Sequence, residues 1–173
     1  MNKRVRGCDN PKKPADQSLA AKVEELAEMD RIVLQLHASL DPREVLRTAL
    51  KWAVQRLNAD CGLAGLLVEG GVKVMASQGY SNELAQLEED LIPAGFLPLE
   101  RLAEAGFPNS IELRAGESQR LLASARRQTL APMGCGPSLR GVILLEHKSA
   151  QPLPAPALDF MTRLFGSIPY MVG

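Results

Sequence analysis

The stretch that decides the fold reads Thr129-Leu-Ala-Pro-Met133, then Gly134-Cys-Gly-Pro-Ser138, then Leu139-Arg-Gly-Val-Ile-Leu-Leu-Glu146. The two outer runs are too short for ordinary helices and too apolar for loops. The segment between them contains the glycines and the proline that are typical of a tight connection. The stretch therefore predicts two antiparallel strands joined as a hairpin.

A second hairpin is predicted upstream, around Gly70-Gly71, because both glycines tolerate the positive φ of a tight turn. Residues 61–69 are nearly all apolar or small, which favours a strand covered on both faces. After the turn, Val72 and Val74 alternate with Lys73, as in a strand with one face in solvent.

Helices are predicted on both sides of these strands, over 18–40, from 42 onwards and over 155–172. Asp41 can cap the second helix, and Pro42 lies where a missing N–H costs nothing. The first helix carries an apolar stripe with heptad spacing. The stripe consists of Leu19, Leu26, Met29, Val33, Leu36 and Leu40. It leaves two interpretations open, a helix lying on its own domain or one pairing with its twin in a parallel dimer, and we favour the dimer.

The stretch 79–116 has a looser pattern, broken by Pro93, Gly95 and Pro98. It predicts short helices over 81–91 and 98–105 and a brief strand at 111–113. Taken in order, the elements predict an α+β fold, with one antiparallel sheet, long helices on one face and short segments on the other. The predicted organisation is a disordered polar leader over 1–17, the first helix over 18–40 and one domain over 41–173.

Composition excludes several classes of function. The 173 residues include 20 acidic and 20 basic side chains, so no net field attracts nucleic acid or a membrane surface. No apolar run approaches the ~20 residues that span a bilayer. The three cysteines, Cys8, Cys61 and Cys135, form no CxxC pair and no disulfide framework, which favours a reducing cytoplasm. The chain shows no catalytic constellation, so a regulatory role is expected rather than an enzymatic one.

Several segments, in this order, resemble the GAF domain, the ligand-sensing fold of many signalling proteins, over about residues 36–171. They are Leu40-Asp-Pro-Arg-Glu-Val-Leu46, Leu57-Asn-Ala-Asp60, Val74-Met-Ala-Ser-Gln-Gly-Tyr80, the closing hairpin and Ala157-Leu-Asp-Phe-Met161. The resemblance implies a GAF-like (profilin-like or PAS-like) sheet of five or six strands, terminal helices that often dimerise and a pocket under the variable middle. It also implies small-molecule ligands, such as cyclic nucleotides, tetrapyrroles, haem or simple acids, and output through a kinase, cyclase or transcription factor.

This chain departs from the ligand motifs of that family. It lacks the Asn-Lys-Phe-Asp-Glu motif of cyclic-nucleotide binders, and it has no Cys or His between Asp90 and Thr129 to attach a bilin. The ligand and any cofactor therefore stay unknown. The leading hypothesis is a cytoplasmic, homodimeric sensory module of a signal-transduction or transcription-regulatory protein, with no direct contact to nucleic acid or membrane. The alternatives are a ligand-free dimerisation module and, less favoured, an enzyme of the methionine sulfoxide reductase type.

Four residues are predicted to line the pocket, namely Tyr80, Phe96, Arg126 and Met133. Arg126 and Arg127 could form a fork for an anionic ligand, although an exposed pair on an edge strand is the favoured interpretation. Cys135, in its Gly-Cys-Gly turn, is a candidate redox thiol. His147 is read as an ordinary strand-end residue, and no metal site and no catalytic residue is predicted.

Overall fold

The computed structural model describes residues 14–37, 41–80, 91–104, 110–135 and 138–166, and within these ranges it has four helices and six strands. In chain order the elements are α1 (Pro14–His37), α2 (Pro42–Arg56), β1 (Cys61–Val68), β2 (Gly71–Gln78), β3 (Leu91–Pro93), α3 (Leu99–Glu104), β4 (Ile111–Arg114), β5 (Arg127–Cys135), β6 (Ser138–His147) and α4 (Ala155–Gly166). None of the helices in these ranges combines the length and apolar character needed to cross a bilayer.

The strands form one antiparallel sheet in the order β3-β2-β1-β6-β5-β4. Both predicted hairpins are confirmed, since β1 pairs with β2 and β5 pairs with β6. Strands β1 and β6 are also paired, so the two hairpins lie side by side at the centre of the sheet. The predicted α+β class is therefore confirmed.

Two hydrophobic clusters cover the two faces of this sheet. The first, the helix-side core, joins α2 and α4 to one face and includes Leu46, Leu50, Ile143, Leu145, Met161 and Phe165. The second, the roof-side core, covers the other face and includes Leu63, Val74, Leu97, Leu102, Leu130 and Leu144. Alternation along each strand sends successive side chains to opposite faces, and this is how β6 supplies both clusters.

Helix α2 begins as the sequence predicts. The side chain of Asp41 accepts a hydrogen bond from the backbone N–H of Arg43 at 3.0 Å, and Pro42 occupies the first turn. The buried face of α2 has helical spacing and packs on the sheet. It consists of Val45, Leu46, Ala49, Leu50, Ala53 and Val54.

Helix α1 begins at Pro14 rather than at residue 18, because proline is well tolerated in a first helical turn. The helix is apolar on two sides. Ile32 is 1% exposed in the helix-side core, with Met29 packed against it, whereas Leu19 and Leu26 are 64% and 50% exposed. Part of α1 thus lies on its own domain, and the pairing of its exposed side with a second chain stays a prediction. Leu40 and the side chains of Val33 and Leu36 lie outside the described residues.

The sequence interpretation missed strand β3. Leu91 was assigned to a short helix and Pro93 to a chain break, but both belong to a strand that pairs with the start of β2. A proline is compatible with this position because β3 is at the edge of the sheet. The predicted short helix at 98–105 is present as α3, while residues 81–90 lie outside the described ranges.

Candidate functional site

The structure distributes the four predicted pocket residues over different surroundings. Tyr80 and Phe96 are half-buried and both pack against the roof-side core. Met133 is buried in the helix-side core, on the opposite face, because its position in β5 has the other parity. Arg126 is exposed. The structure therefore places two of the four residues on the face expected to hold a ligand, and their binding role stays a prediction.

The favoured interpretation of Arg126 and Arg127 as an exposed pair on an edge strand is wrong. Strand β5 lies between β6 and β4, and Arg127 is only 6% exposed. Its Nε lies 3.3 Å from Oε1 of Glu112, while burial lowers the pKa of Arg127 against the opposing influence of Glu112. The pair is split between solvent and the interior, so the two guanidinium groups do not present one fork.

A buried carboxylate organises the roof side. Glu146, the next-to-last residue of β6, is 0% exposed and accepts four hydrogen bonds through its side chain. Its Oε1 accepts from the backbone N–H of Leu121 at 2.9 Å and from Nε2 of Gln128 at 2.8 Å. Its Oε2 accepts from the hydroxyl of Tyr80 and from the backbone N–H of Leu122, both at 2.9 Å. These four donors replace the water that the carboxylate loses on burial.

The segment bound by Glu146 is residues 115–126, which we call the strap. It connects β4 to β5 and folds over the end of the sheet on the roof side. Gln128, which faces Glu146 across the β5–β6 pair, donates to the carbonyl of Gln119 at 3.0 Å and accepts from the hydroxyl of Ser118. Leu121 of the strap packs against the roof-side core. Glu146 and Gln128 therefore fix the strap to the sheet.

Tyr80 is tied into the same network. Burial, the charge of Glu146 and the hydrogen bond to its carboxylate together raise the pKa of Tyr80 far above the usual value. The tyrosine is therefore a permanent hydrogen-bond donor. Because Tyr80 lies two residues after the end of β2, this one bond attaches the exit of β2 to the end of β6.

His147, the last residue of β6, points to the helix side and is buried. Its Nε2 lies 3.2 Å from the hydroxyl oxygen of Thr129. Burial and the nearby charge of Arg127 lower the pKa of His147 to about 4, against the opposing effects of Asp60 and a hydrogen bond with the backbone of Asn58. His147 is therefore neutral near pH 7. The structure has no group of three or more His, Cys, Asp and Glu placed to hold a metal in its described ranges.

Residues at the end of β6 also bind the junction between α2 and β1. The backbone N–H of Asp60 donates to the carbonyl of Glu146 at 3.0 Å. The carboxylate of Asp60 accepts from the backbone N–H of Lys148 at 2.7 Å. The chain at Glu146–Lys148 thus contacts the strap through one face and the helix junction through its backbone and other face.

Cys61 is buried at the start of β1, as expected for a strand covered on both faces. Its Sγ donates to the carbonyl of Gly79 at 3.2 Å, and its pKa is raised by burial and, to a lesser extent, by Glu146 and Asp60. Cys135 ends β5, but its side chain lies outside the described side chains. Its redox role stays a prediction.

A groove with a volume of about 650 Å³ lies between α1 and α2, on the helix side. Glu28 and Arg56 form an ion pair across it at 3.6 Å, and both remain partly exposed. Ile32 and Trp52 supply apolar lining. The groove is separated from the roof side by the whole sheet.

The sheet order, the helices on one face and the strap on the other define an α+β domain built on a single antiparallel sheet. Solved structures make this definition specific. The GAF domain from an Acinetobacter phosphoenolpyruvate-protein phosphotransferase has a TM-score of 0.73 and 16% identity over 86% of this chain and 92% of its own. The GAF domain of the corresponding Coxiella burnetii protein gives 0.70 and 15%, with the same coverage of 86% and 92%. This chain therefore has the fold of a GAF domain, as its sequence resemblance predicts.

A third similar structure is the GAF domain of a putative sensor histidine kinase from Pseudomonas syringae pv. tomato. It has a TM-score of 0.59 and 19% identity over 91% of this chain and 89% of its own. No protein-family model and no curated protein matches the sequence. At such low identities the structural likeness establishes the fold, and the function has to be argued from the residues.

Proposed function

We propose that this chain is a sensory and regulatory module of a signalling or transcription-regulatory protein. A small molecule binds on the roof side, and the terminal helices of a homodimer relay the binding event. The observation that carries the proposal is the exposed apolar side of α1 on a domain of GAF fold. Similar GAF structures include a phycocyanobilin-bound domain from a cyanobacterial phytochrome and a domain of a putative sensor kinase, which supports this class of function.

The dimer is argued from the outward side of α1. Leu19, Val23, Leu26 and Leu34 are all exposed, although Ile32 already anchors the same helix to its own domain. Leu19, Val23 and Leu26 recur three to four residues apart on one side of the helix, and exposed apolar residues with this spacing suit a second helix. A copy of α1 from a second chain would cover it. A dimer of this kind needs neither nucleic acid nor a membrane, and we place it in the cytoplasm.

A ligand-free dimerisation module is the second candidate, and one observation favours it. Leu97 and Leu102 are buried in the roof-side core, so side chains of the chain itself occupy part of the face where a ligand is expected. In this case the domain would act as a scaffold with no physiological ligand.

Thermal-shift measurements against small acids, nucleotides, tetrapyrroles and haem separate the two candidates. A compound that binds only the folded protein raises Tm increasingly with its excess over Kd. A saturable rise that Phe96→Ala weakens supports the ligand-binding module. No rise across the panel supports the scaffold. We propose no catalytic role, and turnover of free methionine sulfoxide by the purified protein would overturn that view.

A further inference from the structure

We infer that Glu146 is a latch that holds the strap closed over the roof side, and that opening the strap loosens the junction between α2 and β1. The inference deepens the proposed sensory function, on which its signalling meaning rests. It identifies the strap as the part that moves, and it names the residues that transmit the position of the strap to the helices.

The first argument is the chemistry of Glu146. A carboxylate removed from water is tolerated only where donors replace its hydration, and here four donors converge on two oxygens. Two of these donors are the consecutive backbone N–H groups of Leu121 and Leu122. Since backbone amides cannot rotate away independently, the carboxylate accepts both in only one position of the strap. Glu146 therefore selects the closed position.

The second argument is that the middle of the strap is held mainly by Glu146 and Gln128. Its ends are fixed separately, by the bond from the N–H of Arg126 to the carbonyl of His147 at 2.8 Å and by the ion pair of Glu117 with Arg101. Within the described structure, the hydrogen bonds between strap residues 118–125 and the sheet go to the side chains of Glu146 and Gln128. Gln128 is itself hydrogen-bonded to Glu146. Most strap side chains are exposed or half-exposed, and Ala125 is the buried one. Loss of the acceptor at Glu146 would therefore release the middle of the strap, residues 118–124, as one unit, as in local unfolding of a weakly packed segment.

The third argument concerns what the closed strap covers. Leu121 and Tyr80 pack against the roof-side core, and Glu146 binds the backbone of the first and the hydroxyl of the second. When the strap opens, Leu121 leaves Glu146 and the roof-side core, whereas Tyr80 keeps its hydrogen bond to the carboxylate. The end of the roof-side core then becomes accessible, so the strap has the position of a lid over the proposed ligand face.

The fourth argument is the path to the helix side. The backbone carbonyl of Glu146 accepts from Asp60, and the next residue, His147, packs against Thr129 and the backbone of Asn58. Asn58 and Asp60 connect the end of α2 to β1. Consecutive strand residues face opposite sides of a sheet, so a displacement at Glu146 also displaces His147. The strap provides the two-position element that coupling between the two faces requires.

Hydrogen exchange of the full chain tests the latch without any ligand. In Glu146→Gln the side chain keeps its shape but one oxygen becomes an NH2 group that faces donors. We expect amide exchange in peptides covering 116–126 to rise by about tenfold or more, since the charged acceptor is lost. A smaller rise is expected at 57–61, with no change at the β1–β2 turn.

Glu28→Gln is the control, because Glu28 is also a carboxylate with a partner, Arg56 at 3.6 Å, but lies in α1 on the helix side, away from the strap. The strap amides of this control should exchange at the wild-type rate. If amide exchange rises throughout the chain in Glu146→Gln, the variant has lost its fold, and Tyr80→Phe is the test instead. This variant removes one donor and leaves the carboxylate of Glu146 in place. It should raise strap exchange by a smaller factor.

Unchanged strap exchange in both variants would overturn the latch. A faster strap with an unchanged junction would overturn the coupling. Neither result depends on a ligand or a dimer, so failure here is distinguishable from failure of the proposed function, which the thermal-shift panel decides.

Discussion

The hydroxyl oxygen of Thr129 lies 3.2 Å from Nε2 of His147, and both side chains are buried between the sheet and the helices. Burial and the charge of Arg127 lower the pKa of His147 to about 4, against the opposing effects of Asp60 and the backbone of Asn58, so the ring is neutral near pH 7. This histidine gives the domain a specific dependence of stability on pH.

The sign follows from the two states of the chain. The pKa of His147 is about 4 when folded, below the ordinary value of 6.5, so the unfolded chain takes up the proton first as the pH falls. The contribution of neutral His147 to the free energy of unfolding is fully present above pH 6.5 and is lost as the pH falls from about 6.5 to 4. We expect a loss of about 2–3 kcal/mol across this window from His147 alone. Urea unfolding at pH 7, 5.5 and 4.5 measures it.

His147→Gln is the control for this prediction. It retains a polar side chain that can bond Thr129 but does not titrate, so its stability should vary less between pH 7 and 4.5 than that of the wild type. Other groups contribute equally to both proteins. Identical pH dependence in the two proteins would show that His147 is not the responsible group.

The outward side of α1 makes a prediction about assembly. Leu26 is 50% exposed, so Leu26→Glu leaves the fold of one chain intact but places charges in the proposed helix pair. Light scattering should show a dimer for the wild type and a monomer for the variant. Leu91→Glu is the matched control, because Leu91 is 52% exposed at the sheet edge in β3. A wild type that is monomeric at high micromolar concentration would contradict the dimer.

Gly79 makes a prediction about the β2 exit. It has φ +83°, and a Cβ there would overlap the carbonyl oxygen of Asp60. Gly116, in the strap, has φ +93° but open space where a Cβ would be built. Both alanine variants incur the backbone strain of about 1 kcal/mol, and only Gly79→Ala adds a steric clash, so its loss of stability should exceed that of Gly116→Ala by roughly 1–2 kcal/mol.

Urea unfolding of the two glycine variants checks this difference. If Gly116→Ala costs as much as Gly79→Ala, the contact with Asp60 is not what excludes a side chain at 79. The comparison also tests the path between strap and junction, because Asp60 is the residue that the clash would displace.

The sequence was sufficient to predict those elements whose structure is decided by the local pattern of residues. The helix cap at Asp41, the turn at Gly70-Gly71 and the closing hairpin follow from spacing and turn chemistry, and their order predicted the sheet. Strand β3 escaped prediction because three residues containing Pro93 give no alternation to read, and the pairing with β2 determines the strand.

The site was less predictable because it depends on register and parity. Residues 130–133 of β5 are all apolar, so the sequence does not say whether Met133 faces the helices or the roof. Glu146 ends an apolar run, and a charged residue at a strand end is ordinarily solvated. Its burial comes from pairing opposite Gln128 and from the strap folding back, neither of which is encoded locally. One signal was available in the sequence: Glu146 continues the alternation of the residues that form a buried face of its strand.

The cysteines provide the last prediction. Burial raises the pKa of the Cys61 thiol, with Glu146 and Asp60 adding to the effect, and its Sγ is bonded to Gly79. Little thiolate forms at neutral pH, so iodoacetamide should modify Cys61 far more slowly than Cys135, the proposed redox thiol. Mass spectrometry of peptides after timed alkylation of the native protein measures both rates. Cys135→Ser should leave the slow rate of Cys61 unchanged, whereas Glu146→Gln should raise it, because the variant removes a neighbouring negative charge and frees the strap. Equal labelling of Cys61 and Cys135 in the native wild type would remove the redox hypothesis for Cys135.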